Sequence, residues 1–203
     1  MLRETVIWDV EFLTDIGAPQ RFWCGPNDPD PVLVQIGAVK LGLEEDCPIG
    51  ATFERIVTPR GRDGNVLAPS ALFTKLTGID KARIAAEGVG LAPALEALGD
   101  FANGARIWAW GNDEHFAVAI SCYVAGIDPP LPVTAFGNAT QLFQRAGLPV
   151  DDIHQLRSDK LAAHFGLPDD DLAAHDALGD ALSTARALQH LLRRGHLAPN
   201  DFA

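Results

Sequence analysis

Near the start of the chain, an apolar run that favours a β-strand ends in two carboxylates. Residues 4–12 read ETVIWDVEF, and Val, Ile, Thr and Trp are typical of strands. Asp9 and Glu11 stand two residues apart, so their side chains point to the same face of that strand. Two bare carboxylates held so close repel each other, and one is expected to take up a proton. A divalent cation would remove the conflict, because hard cations such as Mg²⁺ prefer carboxylate oxygens.

The rest of the sequence predicts an α/β fold. A loop rich in Gly, Pro and Asp at residues 14–31 separates the first strand from a second at 31–41, and a third follows at 53–57. This spacing favours an antiparallel opening. Further along, helices alternate with short strands; the strands are expected at 105–110 and 134–136, and the helices at 69–76, 92–102, 113–123, 158–166 and 176–194. We therefore expect a mixed five-stranded sheet flanked by helices, folded as one domain over residues 1–203.

Charge, hydropathy and cysteine content indicate which ligands and which cellular compartment to expect. The formal net charge of −11 argues against a broad basic surface for nucleic acid. The alternative is that scattered arginines gather into a basic groove, for example Arg21, Arg60, Arg62 and Arg157. The longest mostly apolar stretch, residues 116–127, is too short to span a bilayer, and acids near the N-terminus disfavour a secretion signal. Three widely separated cysteines fit buried thiols in a reducing compartment. We expect a cytoplasmic protein without a membrane partner.

A third acid, Asp113, follows the predicted strand at 105–110 and stands at the start of the next helix. Ligand sites of open α/β sheets collect at strand ends of this kind. The alternative interpretation is that Asp113 only caps the helix, which aspartate does well.

The fourth acid, Asp180, lies one helical turn after Asp176, so the two share a face of the last helix. An acidic face near a helix N-terminus is favourable in itself, and this explains Asp176. It explains Asp180 less well, because Ala177, Ala181 and Thr184 around it are small. Small neighbours permit the close approach of a metal ion or a substrate.

His175 directly precedes this helix. A single histidine in such a place is often an incidental surface residue. Beside four acids it has a chemical role, because histidine titrates near neutral pH and can accept a proton from an attacking water. Two metal ions held by the acids would orient that water and stabilise the leaving oxygen of a phosphodiester.

These motifs together resemble the DEDDh family of 3′–5′ exonucleases over nearly the whole chain. Asp9-x-Glu11 is similar to the first motif, Asp113 to the second, and His175-Asp176-Ala177-x-x-Asp180 to the third, HxAxxD. The segments QIGAV at 35–39 and LTGI at 76–79 are similar to the second strand and the end of the first helix of that family. The WG before the second motif looks most like the branch of small RNA-trimming exonucleases.

The resemblance implies an RNase H-like fold and two Mg²⁺ or Mn²⁺ ions. It implies that the metal ligands are Asp9, Glu11, Asp113 and Asp180. His175 would be the general base, and Glu11 would belong to the catalytic set as well. The terminal nucleotide would contact Phe12, Leu76, Thr77 and Ile79. In one respect the chain departs from the family: the RNA-trimming branch often has W-G-x-x-D, a spacing that would give the third acid's place to Glu114.

The expected function is therefore a metal-dependent 3′–5′ exonuclease that releases nucleoside 5′-monophosphates from single-stranded ends, RNA rather than DNA. Trp23, in the loop at 14–31, is the best candidate for a stacking side chain outside the motifs. Two alternatives remain: a phosphodiesterase for small nucleotides, and a non-catalytic nucleic-acid-binding module on the same fold. The number of subunits stays open.

Overall fold

A computed structural model describes residues 3–170, 172 and 174–203. A five-stranded sheet has the order β3-β2-β1-β4-β5. Its strands are β1 (Glu4–Phe12), β2 (Leu33–Gly42), β3 (Ile49–Ile56), β4 (Ile107–Ala109) and β5 (Phe136–Asn138). The first three strands pair antiparallel, whereas β4 runs parallel to β1 and β5 parallel to β4. The predicted mixed five-stranded sheet is confirmed.

Helices cover both faces of the sheet. In the described part of the chain they are α1 (Ala71–Thr77), α2 (Lys81–Glu87), α3 (Leu91–Ala102), α4 (Asp113–Ala125), α5 (Thr140–Arg145), α6 (Val150–Gln155), α7 (Leu161–His164) and α8 (Ala177–Arg193). No described helix has the length and apolar character needed to cross a membrane.

The alternation of β1 divides the core into two layers. Val6, Trp8 and Val10 pack with buried residues of α3 and α4, such as Leu95 and Val118. The other face carries Ile7, which packs in the layer that α8 covers. Asp9 and Glu11 share that second face, because side chains two residues apart on a strand point the same way. The acids of β1 therefore face α8.

A glycine lets α8 come close to the sheet beside those acids. Gly37 of β2 is paired with Asp9 of β1. A Cβ atom at Gly37 would collide with the backbone of Ala177 and Leu178, which form the first turn of α8. Only glycine leaves room for this approach. The first turn of α8 therefore rests on the sheet directly next to the carboxylates of β1.

Several elements differ from the prediction. β3 begins earlier than expected, β5 lies two residues later, and the helix expected at 158–166 is a short 3-10 turn (Ser158–Lys160) followed by the four-residue α7. Helices α2, α5 and α6 were not predicted. They have only six or seven residues, too few for a helical period to stand out. The last helix is confirmed: Asp176 is its N-cap and accepts a hydrogen bond from the Gly179 amide at 3.0 Å.

Candidate active site

A cleft of about 650 Å³ lies where β1 and β4 end. These two strands are parallel, so their carboxyl ends meet at the same edge of the sheet. The last residues of β1 form its floor, together with the first turns of α4 and α8. Its walls come from the loop after β1, from α1 and from residues 153–158. The predicted position of a site at these strand ends agrees with the cleft.

Three carboxylates meet on the floor of the cleft. Oxygens of Asp9, Glu11 and Asp180 all lie within 4.8 Å of one another. Asp9 and Asp180 are buried and Glu11 is half-buried. The period of the strand aligns Asp9 with Glu11, and the seat of α8 on Gly37 brings Asp180 across to them.

The fourth carboxylate at this cluster is Glu114. Its side chain is buried on the core side of α4, in the same helical stripe as Ala117, Val118 and Ser121. It interacts with Asp9 and repels Asp180. Asp113 also lines the cleft, but it is exposed, and its side chain leaves the helix about 100° around the axis from that of Glu114. The structure therefore brings Glu114, not the predicted Asp113, against the other acids.

Asp113 does not cap the helix either. It is the first residue of α4, and the N-cap is Asn112, which makes no capping hydrogen bond with its side chain. The signal for Glu114 was present in the sequence. Residues 114, 117, 118 and 121 follow the i, i+3, i+4, i+7 pattern of a buried helical face. Asp113 is out of phase with that face.

Crowding and burial together suppress ionisation of these acids. Burial, helped by repulsion from Asp180 and Asp176, raises the pKa of Glu11 to about 8. Burial and the charge of Asp159 raise the pKa of Asp180 to about 7. Burial also raises the pKa of Asp9 well above its usual range, and repulsion from Glu114 adds to the shift. A group of this kind retains protons until a cation replaces them.

The donor set fits a hard divalent cation. All four side chains offer carboxylate oxygens, the ligands that Mg²⁺ and Mn²⁺ favour. The Oε2 atom of Glu114 is buried and has no hydrogen-bond partner among the described residues. Buried polar atoms without a partner are rare unless a ligand completes the site. The raised pKa values are a further sign that positive charge is missing from the cluster.

His175 stands at the edge of the cleft, next to the cluster. Its backbone is left-handed, with φ of 59°, and this turns the chain into the N-cap of α8. Burial lowers the pKa of His175, and the positive charge of Arg157 lowers it further. A guanidinium nitrogen of Arg157 lies 3.5 Å from Nδ1 and 3.4 Å from Nε2 of the ring. Near neutral pH the imidazole is therefore uncharged and able to accept a proton.

A buried glutamine holds the start of α8 in place. Gln35 of β2 donates from Nε2 to Asp176 Oδ1 at 2.7 Å and to Glu54 Oε1 at 3.0 Å, and it accepts from the Ala177 amide at 3.1 Å. Arg83 donates to the same Glu54 oxygen at 3.0 Å. This chain of bonds fixes the turn between His175 and Asp180.

Of the four residues predicted to contact a terminal nucleotide, two line the cleft. Phe12 and Leu76 line the cleft, as does Leu72 of α1. Ile79 is fully buried in the core, so it cannot touch a ligand in the cleft. The Thr77 hydroxyl donates to the Phe73 carbonyl at 3.0 Å and closes the end of α1. Neither Thr77 nor Ile79 is among the described residues that line the cleft.

Only some of the aromatic and basic residues singled out in the sequence line the cleft. Trp23 lines the cleft, lies edge-on to Phe12 with ring centroids 5.1 Å apart, and donates from Nε1 to Thr14. The alternative to the prediction, a gathering of the four arginines, is not seen among the residues that line the cleft in the described part of the chain. Arg21 pairs with Asp28, Arg62 covers the ring of Tyr123 and Arg60 binds the Gly64 carbonyl, whereas Arg157 lines the cleft.

No protein-family model and no curated protein matches the chain. Among solved structures, the nuclease domain of 3′hExo, a DEDDh family member bound to rAMP, superposes with a TM-score of 0.76 at 18% identity, covering 96% of this chain and 94% of that one. The chain has the fold of the DEDDh exonucleases. A full-length 3′-exonuclease gives a TM-score of 0.75 at 18% identity, with coverage of 96% and 62%. Exonuclease I of E. coli in complex with a dT13 oligonucleotide gives 0.61 at 16% identity, with coverage of 93% and 40%.

The chain thus spans 62% of the length of the full-length 3′-exonuclease and 40% of that of exonuclease I. At identities of 16–18% the likeness establishes the fold. The resemblance drawn from the three motifs is confirmed at that level.

Proposed function

We propose that this chain is a metal-dependent 3′–5′ exonuclease of the DEDDh family, acting as one domain over residues 1–203. It hydrolyses phosphodiester bonds at the 3′ end of single-stranded nucleic acid, RNA before DNA, and releases nucleoside 5′-monophosphates. The observation that carries the proposal is the meeting of Asp9, Glu11 and Asp180 within 4.8 Å, beside His175, in an open cleft. The fold shared with solved 3′-exonucleases supports it.

Four carboxylates hold the cations in this proposal: Asp9, Glu11, Glu114 and Asp180. Glu114 replaces the Asp113 of the sequence prediction, because it is the acid that lies against Asp9. Two Mg²⁺ or Mn²⁺ ions bound there supply positive charge to the reacting phosphate and lower the pKa of a water. Glu11, the second residue of the first motif, is the least buried of the four acids.

His175 is the general base. Its lowered pKa leaves the ring neutral, so it can accept a proton from the water that attacks phosphorus. The new P–O bond forms as the bond between phosphorus and the 3′ oxygen of the penultimate nucleotide breaks. The 3′ oxygen takes up a proton from solvent water and becomes a hydroxyl, and the phosphate stays on the 5′ oxygen of the released nucleotide.

The terminal nucleotide occupies the wall formed by the loop after β1 and by α1. Phe12 and Leu76 offer apolar surface to its base, and Leu72 and Trp23 extend that surface. Stacking on an aromatic ring is tolerant of base identity, because every base has a π-face. The nuclease domain of 3′hExo was solved bound to rAMP and exonuclease I in complex with a dT13 oligonucleotide, which supports a nucleotide or oligonucleotide as the ligand of this chain.

Digestion of end-labelled oligonucleotides tests the proposal. With Mn²⁺, single-stranded RNA labelled at its 5′ end should shorten stepwise. A second RNA, labelled in its 3′-terminal nucleotide, should release that nucleotide as a 5′-monophosphate. EDTA should stop the reaction, and a 3′-phosphate block should slow it. Internal cuts, or turnover confined to dinucleotides in a length series, would contradict the proposal and favour another phosphodiesterase. Binding of RNA without any cleavage would favour the non-catalytic alternative.

A further inference from the structure

We propose that Arg157 binds the scissile phosphate and neutralises the negative charge that it gains during hydrolysis. The inference rests on the proposed function, and it assigns a role to a residue that none of the three motifs contains. The chemical class of its ligand is a phosphodiester or phosphomonoester oxygen.

The position of Arg157 is the first argument. It lies between α6 and the 3-10 turn at Ser158–Lys160, and it lines the cleft beside His175 and Asp180. Burial raises the pKa of Glu11 and of Asp180, and the charge of Arg157 opposes both shifts. The guanidinium therefore stands close to the carboxylate cluster on one side and to the imidazole on the other.

Charge balance is the second argument. Four carboxylates carry four negative charges, and two divalent ions would cancel them. The phosphodiester brings one further negative charge, which grows as water attacks. Of the cleft-lining residues that the structure describes, Arg157 is the only lysine or arginine. Guanidinium groups bind phosphate oxygens through two parallel hydrogen bonds, so the residue type matches the need.

The way Arg157 is held is the third argument. Its Nε lies 3.3 Å from Oδ1 of Asp159, whose side chain is only 7% exposed, while the Arg157 side chain itself is 62% exposed. Asp159 has a second cationic partner in Lys160, at 3.1 Å. Neutralising Asp159 therefore does not require Arg157. The ion pair with the buried acid lies on the Nε side of the guanidinium, whereas Nη2 lies 3.4 Å from Nε2 of His175, which also lines the cleft.

Variants of Arg157 test this role against a matched control. Arg145 is an arginine of similar exposure, 58%, paired with Asp201 at 2.8 Å and absent from the described cleft lining. We expect Arg157→Ala to lower kcat for RNA hydrolysis by about 10²–10³-fold, as the loss of one charge-stabilising donor does elsewhere. Arg145→Ala should match the wild type. Arg157→Lys should lie between, because lysine keeps the charge but loses the paired donors.

Two measurements separate this role from a structural one. Millimolar guanidinium ion should restore part of the Arg157→Ala activity and none in a His175→Ala control. Calorimetry with Ca²⁺ present should show that Arg157→Ala binds adenosine 5′-monophosphate at least about tenfold more weakly, with adenosine unaffected, since a hydrogen bond to a charged group is lost. Arg157→Gln serves the same purpose if the alanine variant unfolds.

The outcomes distinguish the two proposals. If the wild type hydrolyses RNA and Arg157→Ala behaves as Arg145→Ala in both assays, the role of Arg157 is overturned and the exonuclease proposal stands. If the wild type fails to hydrolyse any oligonucleotide but its affinity for the monophosphate depends on Arg157, the phosphate site stands and the exonuclease proposal falls. Equal losses for adenosine and its monophosphate would overturn the phosphate site.

Discussion

Two groups of acids lie beside the first turn of α8. Hydrogen-bond donors face the carboxylates of one group, whereas the carboxylates of the other group mainly face one another. Glu54 and Asp176 form the paired group, in which Gln35 bridges the two carboxylates, Arg83 binds Glu54 and the Gly179 amide binds Asp176. The unpaired group contains Asp9, Glu11, Glu114 and Asp180, which mainly face one another. Gln35 is paired with Glu11 in the sheet, so the two groups are neighbours.

The contrast shows which acids serve the fold and which serve a ligand. In the paired group, the carboxylates accept hydrogen bonds, and these bonds hold the first turn of α8 in place. In the unpaired group, burial and repulsion raise the pKa of Glu11 to about 8 and of Asp180 to about 7. Such an arrangement destabilises the metal-free protein, and perturbed carboxylates in a cleft mark functional sites. A cation is the partner that the second group lacks.

The largest expected effect comes from neutralising the unpaired group. Asp9→Asn and Asp180→Asn should each lower RNA hydrolysis by about 10⁴-fold, because a metal contributes several kcal/mol to the transition state and each 1.36 kcal/mol is tenfold. Both variants should bind Mn²⁺ more weakly in calorimetry. The metal-free melting temperature should hold or rise, since repulsion is relieved.

Asp176→Asn in the paired group is the control. Asparagine has one accepting oxygen where aspartate has two, so either the Gly179 amide or Gln35 Nε2 loses its acceptor, and the melting temperature should fall. A marked fall in metal-free stability for Asp9→Asn would show that Asp9 stabilises the fold, as the acids of the paired group do. The contrast between the two groups would then be wrong.

The second test asks which acid of α4 belongs to the unpaired group. Glu114→Gln should reduce turnover by about 10³-fold, by the same loss of metal-derived stabilisation. Asp113→Asn should stay within about threefold of the wild type, because its side chain is exposed and is not part of the carboxylate cluster. Turnover measured against Mn²⁺ concentration distinguishes a carboxylate that binds the metal from one that does not. The reverse ranking would restore the sequence prediction of Asp113.

The third test concerns His175, which directly precedes Asp176 of the paired group and lies next to the unpaired group. His175→Ala should lower kcat by about 10²–10³-fold, within the usual range for loss of a general base. Calorimetric Mn²⁺ binding should be unchanged, because the imidazole is not needed as a ligand. Loss of metal binding with the fold preserved would show that the histidine belongs to the unpaired group.

A smaller effect should follow from breaking the paired group. Gln35→Ala removes the acceptor of the Ala177 amide and the donor to Asp176, and buried groups left without partners cost about 1–3 kcal/mol. Thermal unfolding should detect the loss, and Mn²⁺ should still raise the melting temperature, since a ligand of the native state stabilises it. Unchanged stability would mean that water satisfies these groups.

The sequence predicted the part of the site that depends on the regular alternation of side chains along one strand. The two-residue period of β1 aligns Asp9 with Glu11, and oxygens of both lie within 4.8 Å of an oxygen of Asp180. The choice between Asp113 and Glu114 depended on the phase of α4 relative to the core. Residue spacing reveals that phase only when the buried stripe of the whole helix is considered.

The prediction failed where a contact depends on loop geometry. Arg157 belongs to no motif, and only the path of the chain between α6 and α7 brings it to His175. Ile79 was expected near a base, yet the turn after α1 sends it into the core. The apolar residue that does reach the cleft from α1, besides the predicted Leu76, is Leu72, one helical turn earlier.

The smallest effect concerns pH and the unpaired group alone. The folded metal-free protein keeps protons on Glu11 and Asp180 up to about pH 8 and 7, whereas the unfolded chain loses them near pH 4.5 and 3.8. Above those lower values the folded state holds more protons, so raising the pH favours unfolding. The stabilisation is present below about pH 4 and is lost as the pH rises through 7 and 8.

Melting temperatures of the metal-free protein should therefore fall between about pH 5 and about pH 8, more steeply than in Asp180→Asn, which lacks one of the titrating carboxylates. Saturating Mg²⁺ should flatten or reverse this slope, because the cation binds the ionised carboxylates and competes with protons. Asp176→Asn keeps all four carboxylates of the unpaired group and removes only one charge that repels Glu11 and Asp180, so its slope should lie between those of the wild type and of Asp180→Asn. If the wild type and Asp180→Asn show the same slope, the crowded carboxylates are relieved by solvent, and the contrast between the two groups loses its electrostatic basis.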